Sequence, residues 1–229
     1  MGAPVFGTIA IVGIGLIGSS IARAAIERGA ATSVRLFDAD EDVRTAAREM
    51  GLGDVFNTAE EAARGADCVF LCVPVGRLGE AASAVSPAMT PGDILTDVGS
   101  VKADAVTAMT SAAPEGVHVI PAHPIAGTEQ SGPEAGFATL FDNAWQILCP
   151  LEGQGEAYDD AVTQLSAFWE ALGSRVETMG AARHDRVLAI TSHLPHLIAY
   201  NIVSTAYDME SVDEGEVVKY SAGGFRDFT

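Results

Sequence analysis

Residues 8–18 read Thr8-Ile9-Ala10-Ile11-Val12-Gly13-Ile14-Gly15-Leu16-Ile17-Gly18, an unbroken apolar run that ends in three spaced glycines. The run 8–13 has the length and content of a strand buried on both faces. Residues 16–28 then place Ile17, Ile21, Ala24 and Ala25 at helical spacing, with Gly29 as the C-terminal cap. A strand that turns through Gly-x-Gly-x-x-Gly into a helix is the arrangement a pyrophosphate needs. Gly13 permits the tight turn, Gly15 the approach of backbone to phosphate, and Gly18 the closure of helix on strand; the phosphates rest on the free N–H groups of the helix start. The pattern therefore assigns Gly13, Gly15, Leu16, Ile17 and Gly18 to a dinucleotide. Asp38 closes the next strand 20 residues after Gly18, where an acid can bind the adenosine ribose hydroxyls. A carboxylate there repels a 2′-phosphate, and Ala39-Asp40 offers no arginine to hold one. Arg35 lies on the same strand, three residues too early. NAD is the expected cofactor, ahead of NADP.

Working outward, SVRLFD (33–38) is a second strand and 41–50 a second helix. Thr58-Ala-Glu-Glu61 has the spacing of a capping box and opens a short helix. Strands 67–73 and 93–98, helix 103–113 and strand 117–121 follow. Val73 and Pro74, at the end of strand 67–73, complete the cofactor set. Strands alternating with helices of this length predict an α/β fold, a Rossmann-type and mainly parallel sheet with helices on both faces. HPIAGTEQSG (123–132) reads as a polar, Gly-rich loop, 144–151 as a strand, 157–172 as a helix and 174–178 as a short strand. From Ala181 to about Met209 the apolar spacing is helical, and Pro195 in its interior predicts a kink. The expected organisation is a dinucleotide-binding domain over 1–179 and the start of an all-helical domain over 180–229.

Composition narrows the function. Apolar residues make up 48% of the 229 positions and charged residues 19%, enough to build a core. The 31 acidic residues outnumber the 13 basic ones for a net charge of −18, a field that repels nucleic acid. A small anionic substrate stays compatible, given a locally basic pocket. Cys68 and Cys72 sit in the strand-like ADCVFLCVPV and read as small hydrophobes; with Cys149 they make no disulfide framework. The N-terminus lacks a basic signal region, Phe6 spoils a myristoylation motif after Gly2, and no run of about 18 uninterrupted apolar residues occurs. A soluble cytoplasmic protein without a membrane partner is the expectation.

Two more stretches fall where chemistry belongs in such a sheet. Thr96-Asp97-Val98-Gly99-Ser100-Val101-Lys102 lies at the carboxyl end of a strand, and His123-Pro124-Ile125-Ala126-Gly127-Thr128-Glu129 follows the next one. A histidine at that edge can reach a bound nicotinamide. Taken with GxGLIGSS, HDRVLAITSHLPHLIAY (184–200) and GGFRDFT (223–229), these motifs resemble the prephenate/arogenate (cyclohexadienyl) dehydrogenase family of tyrosine biosynthesis, in order and spacing from about residue 8 to the end.

The resemblance implies hydride transfer from ring C4 of a cyclohexadienol to NAD(P)+, with loss of the ring carboxylate as CO2. It implies His123 as the base at the C4 hydroxyl and Ser100 as the bridge between that hydroxyl, the histidine and the nicotinamide. It also gives substrate contacts to Thr128, Ser192 and His196, a structural or dimer role to His193, a link with domain organisation to His184, and a homodimer. The resemblance places Lys102, one of two lysines, at the active-site edge; read from the residues alone, Lys102 also suits a solvated surface and Ser100 an N-cap for helix 103–113. His193 and His196 lie three apart, within about 60° on a helix, a spacing that suits a metal. No further ligands accompany them and the family needs none, so no metal is expected.

The family motif at 223–229 normally continues with an arginine for the substrate's side-chain carboxylate. Arg226 is not assigned that role, so the carboxylate site is incomplete in these 229 residues. Alternatives left open by the residues are another Rossmann-type hydroxy-acid dehydrogenase, for which a helical-domain lysine would be expected, and a non-catalytic NAD(H)-binding regulator. A methyltransferase fits poorly, since its loop usually lacks the third glycine.

Overall fold

The computed structural model describes residues 3–210 and Phe225. The chain forms two compact units, Met1–Ala182 and Arg183–Thr229. In the first, β1 (Phe6–Val12), α1 (Leu16–Arg28), β2 (Ala31–Phe37), α2 (Glu41–Glu49), β3 (Asp54–Val55), α3 (Ala59–Ala63) and β4 (Cys68–Leu71) succeed one another. Next come α4 (Leu78–Val85), β5 (Ile94–Asp97), α5 (Ala103–Ala112) and β6 (His118–Ile120). Six strands pair in the order β3-β2-β1-β4-β5-β6, and every pairing is parallel.

The pleat explains why Ile9–Val12 of β1 and all of β4 are apolar. Ile9, Ile11, Cys68 and Phe70 face one core, with Ile21 of α1 and Phe168 and Trp169 of a later helix. Ala10, Val12, Val69 and Leu71 face the other, with Leu78 and Val85 of α4 and Met109 of α5. Short side chains end the helices as their chemistry dictates. Asp40 caps α2 by accepting from Asp42 N (2.8 Å), and Thr58 caps α3 by accepting from Glu61 N (3.1 Å). Gly29 closes α1 at φ 65°, a backbone conformation that suits glycine.

A second sheet follows, with β7 (Ala122–Ile125), β8 (Trp145–Leu148) and β9 (Arg175–Thr178), and α6 (Glu156–Ala171) between the last two. β7 pairs antiparallel with β8, and β8 pairs parallel with β9. This corrects the expectation of a loop from residue 123: His123, Pro124 and Ile125 lie on a strand. A proline inside a short run argues against a strand in sequence, yet it is tolerated on an outer strand whose free edge needs no N–H there.

α7 (Ala181–Leu188) leads into the second unit, a π-helical turn covers Ala189–His193, and α8 runs from Leu194 to Glu210. The helix is continuous over Ala181–Asp208, long and apolar enough by length and composition to cross a bilayer. The expected disturbance at Pro195 takes the form of the π turn just before it, in which Leu194 N–H bonds Ala189 O, five residues back. Ile190, Leu194, Leu197 and Tyr200 are exposed along it. The motif at 223–229 lies outside the described residues, Phe225 excepted.

Tyr158 of α6 clips the two sheets together: its hydroxyl donates to Val119 O (2.7 Å) and accepts from Leu151 N (2.8 Å). Burial pushes its phenol up to about 12. The folded protein thus holds this proton more tightly than the unfolded chain. Its contribution is complete below about pH 10 and is lost as pH rises through about 12. Tyr158→Phe is expected to cost about 1–3 kcal/mol in urea unfolding at neutral pH and to flatten the alkaline limb of stability measured above pH 10.

Candidate active site

The parallel sheet reverses its winding between β1 and β4, and ligands bind such sheets at the carboxyl ends of the strands beside that point. Gly13 follows β1 there at φ 98°, and a Cβ on it would lie 2.4 Å from Cys72 O, the residue that follows β4. At Gly18 a Cβ would meet Gly13 O at 2.0 Å, so α1 seats against the turn only because residue 18 lacks a side chain. At Gly15 a Cβ would meet nothing within 4 Å. Gly15 is the N-cap of α1 and the helix start carries no side-chain cap, which leaves its first N–H groups for an anion.

A cleft of about 370 Å3 opens over this turn, lined by Gly13, Gly15, Asp38, Val73, Pro74 and Arg77 among others. Leu16, Ile17 and Gly18 form the first turn of α1 without lining it; Leu16 and Ile17 pack against the core, so their backbone is the part suited to phosphate. Cys72 also lines the cleft, and burial pushes its thiol far up, which makes it an inert apolar wall. The residues fit a dinucleotide: a turn that excludes Cβ atoms, an uncapped helix start and a carboxylate at the far wall.

Asp38 accepts from Ile14 N through Oδ2 (2.7 Å) and from Asp40 N through Oδ1 (3.0 Å). A carboxylate has acceptor capacity beyond two bonds, so hydroxyls can still bind it. The local sequence suggests no arginine near it. In the fold, Arg44 reaches back from α2 to donate to Asp38 O (2.8 Å) and Ala39 O (3.1 Å). The signal was one turn further along, since a helix that starts at residue 41 returns residue 44 toward its own N-cap. Arg35 turns elsewhere, donating to Glu61 O (2.7 Å) and lying 4.1 Å from the centre of the Phe56 ring.

Ser100 is exposed on the turn between β5 and α5. It does not cap α5, whose N-cap residue is Lys102. Next to it, a Cβ on Gly99 would touch Val75, the neighbour of Pro74 in the cleft wall, at 3.0 Å. His123 is half-buried on β7, opposite Ile147. Ala122 beside it donates to Asp97 Oδ1 at the end of β5 (3.0 Å), which joins the two segments. Lys102 is fully buried, not solvated, against Asp97. Thr128 is exposed in the loop after β7, accepting from Gln130 N at 3.3 Å.

The remaining sequence candidates belong to the second unit. Ser192 is half-buried in the π turn, and His196 is exposed on α8, stacked on Tyr200 with ring centres 6.5 Å apart. His184 is buried and its Nδ1 lies 2.8 Å from Asp185 Oδ1. Among the described residues no group of three or more His, Cys, Asp or Glu side chains is arranged for a metal ion.

Strand order, glycine turn and cleft together define a nucleotide-binding α/β domain of the Rossmann type. Residues 21–178 match the family model for the nucleotide-binding domain of prephenate dehydrogenase, and residues 180–229 the model for its dimerization domain. A cyclohexadienyl dehydrogenase of Zymomonas mobilis subsp. mobilis is 43% identical over 226 residues, 98% of this chain and 76% of that protein. A prephenate dehydrogenase of Bacillus subtilis is 30% identical over 97% of this chain and 59% of its own length. The crystal structure of prephenate dehydrogenase from A. aeolicus, in complex with hydroxyphenyl propionate and NAD+, superposes with a TM-score of 0.86 at 30% identity, over 97% of this chain and 76% of that one. The chain belongs to the prephenate dehydrogenase family.

The glycines separate folding from binding. Gly15→Ala should leave the thermal midpoint near the parent value and weaken NADH at least about tenfold, some 1.4 kcal/mol, in a fluorescence titration. Gly18→Ala should lower the midpoint itself, because its Cβ has no room before any ligand arrives.

Proposed function

We propose that the protein oxidises prephenate or arogenate at ring C4 with NAD+, releasing CO2 and leaving an aromatic 4-hydroxyphenyl product. The observation that carries this reading is the tie from the strand of His123, through Ala122, to the end of β5 and so to the turn of Ser100, next to the cleft wall. The 43% identical relative named a cyclohexadienyl dehydrogenase points the same way.

When bound, NAD+ supplies the hydride acceptor. The glycine turn and the first N–H groups of α1 hold its pyrophosphate, Asp38 its adenosine ribose, and Val73 and Pro74 the wall beside it. His123, as neutral imidazole, accepts the proton of the C4 hydroxyl as hydride leaves that carbon, and Ser100 orients the hydroxyl. The C4 oxygen becomes a carbonyl; as the bond between ring and carboxylate breaks and CO2 leaves, its electrons aromatise the ring and pass to that oxygen, and the resulting phenolate takes a proton from the His123 imidazolium or from water. Base assistance of this kind contributes about 10²–10⁴-fold. Thr128, Ser192 and His196 contact the substrate. The exposed apolar side of 181–208 is a subunit interface in a homodimer, and the protein works in the cytoplasm within tyrosine biosynthesis.

NADH appearance with prephenate and with arogenate, each with NAD+ and NADP+, tests the reaction in the full-length protein. His123→Asn should lower turnover about 10²–10⁴-fold and leave NADH affinity nearly unchanged; retained turnover would remove the histidine from this step. Asp38→Ser should weaken NAD+ far more than NADP+ in the KM for each cofactor. An unchanged preference would move the adenosine ribose elsewhere, with Arg44 the first residue to test.

A further inference from the structure

β7 is the outer strand of its sheet, and β8 pairs with it on one side only. On the other side both backbone groups of Ala122 are bound by side chains. Its N–H donates to Asp97 Oδ1 (3.0 Å), and its C=O accepts from Lys102 Nζ (2.6 Å). Asp97 Oδ2 accepts from the same Nζ (2.5 Å) and from Gly99 N (2.8 Å). Both charged side chains are fully buried. They stand where the backbone of a neighbouring strand would run and grip one residue at two points. That residue directly precedes His123, and positions 97 and 102 bracket Ser100.

Packing alone does not call for such a pair. Taking two charges out of water is costly, and apolar replacement of a buried ion pair is often neutral or stabilising. Burial pushes the Asp97 carboxyl up, opposed by the Lys102 charge and the N–H groups of Ala122 and Gly99. What the pair adds over apolar contacts is direction, because its bonds fix distance and angle between two segments. A proton acceptor is sensitive to both, and about 1 Å of misplacement can cost about 10²-fold in rate.

We propose that Asp97 and Lys102 are positioning residues, which set the spacing of His123 from Ser100 by clamping Ala122. The proposal rests on His123 as the base. In the full-length protein, the double variant Asp97→Leu/Lys102→Met should lower the thermal midpoint, since Ala122 and Gly99 lose their partners, and keep NADH affinity and both KM values near the parent's, while kcat falls about 10–100-fold. Combined with His123→Asn it should slow the enzyme no further than His123→Asn alone, since no base is left to position. A purely structural pair would instead give additive losses.

A double variant with parental kcat, or a triple variant slowed by the full product of the two effects, overturns the proposal and leaves His123 as the base. Parental turnover in His123→Asn overturns the base and the clamp together. Should the double variant not fold, Asp97→Asn, which preserves the shape, takes its place in the same kcat and additivity measurements.

Discussion

The seating of α1 against the turn after β1 governs the ligand edge of the first unit. A Cβ at residue 18 would lie 2.0 Å from Gly13 O, so the helix start reaches its place only with glycine at that position. Once seated, α1 organises more than the phosphate turn. Ser20 Oγ accepts from Phe137 N (3.1 Å), and a Cβ on Gly136 would collide with Ser19 Oγ at 2.1 Å. The long connection between His123 and β8 is therefore moored on the same helix whose first N–H groups face the cleft. Asp38 completes the set by holding Ile14 N within the turn. The glycine turn, Asp38 and the segment after His123 share one reference element.

Much of this was legible in the sequence, for identifiable reasons. Ile9–Val12 of β1 and all of β4 are apolar because both faces are covered, and Gly13 and Gly18 mark places where backbone meets backbone, while Gly15 stands in open space. These are local signals, carried by consecutive residues. The less legible features depend on neighbours distant in sequence. Pro124 disguised β7, whose place is set by pairing with β8 twenty residues on. The residues alone leave Lys102 open between the active-site edge and a solvated surface, because its partners, Asp97 and Ala122, come together only when β5 and β7 are side by side. Arg44 was missed since it returns to Asp38 by the pitch of α2 rather than by adjacency.

The acidic balance of the chain has a local counterpart. Among the described residues, Arg28 pairs with Asp142, Arg64 with Glu60, Arg77 with Glu80 and Lys102 with Asp97, while Arg35 and Arg44 bind carbonyls. These cations are engaged with the protein's own acceptors, and most act within a single turn or between neighbouring elements. The net field at a distance is that of the excess carboxylates.

The π turn at Ala189–His193 gives the long helix of the second unit a different geometry from a straight rod. Its wider hydrogen-bond ring takes in one more residue than an α-turn would, which offsets everything beyond it by about 100° around the axis. Val187 before the turn and Leu194, Leu197 and Ile198 after it are all exposed, yet they do not extend a single stripe. The helix is thus two unequal rails at different azimuths, 8 residues before the turn and 17 after it, and removing one residue between 189 and 193 would bring them into line.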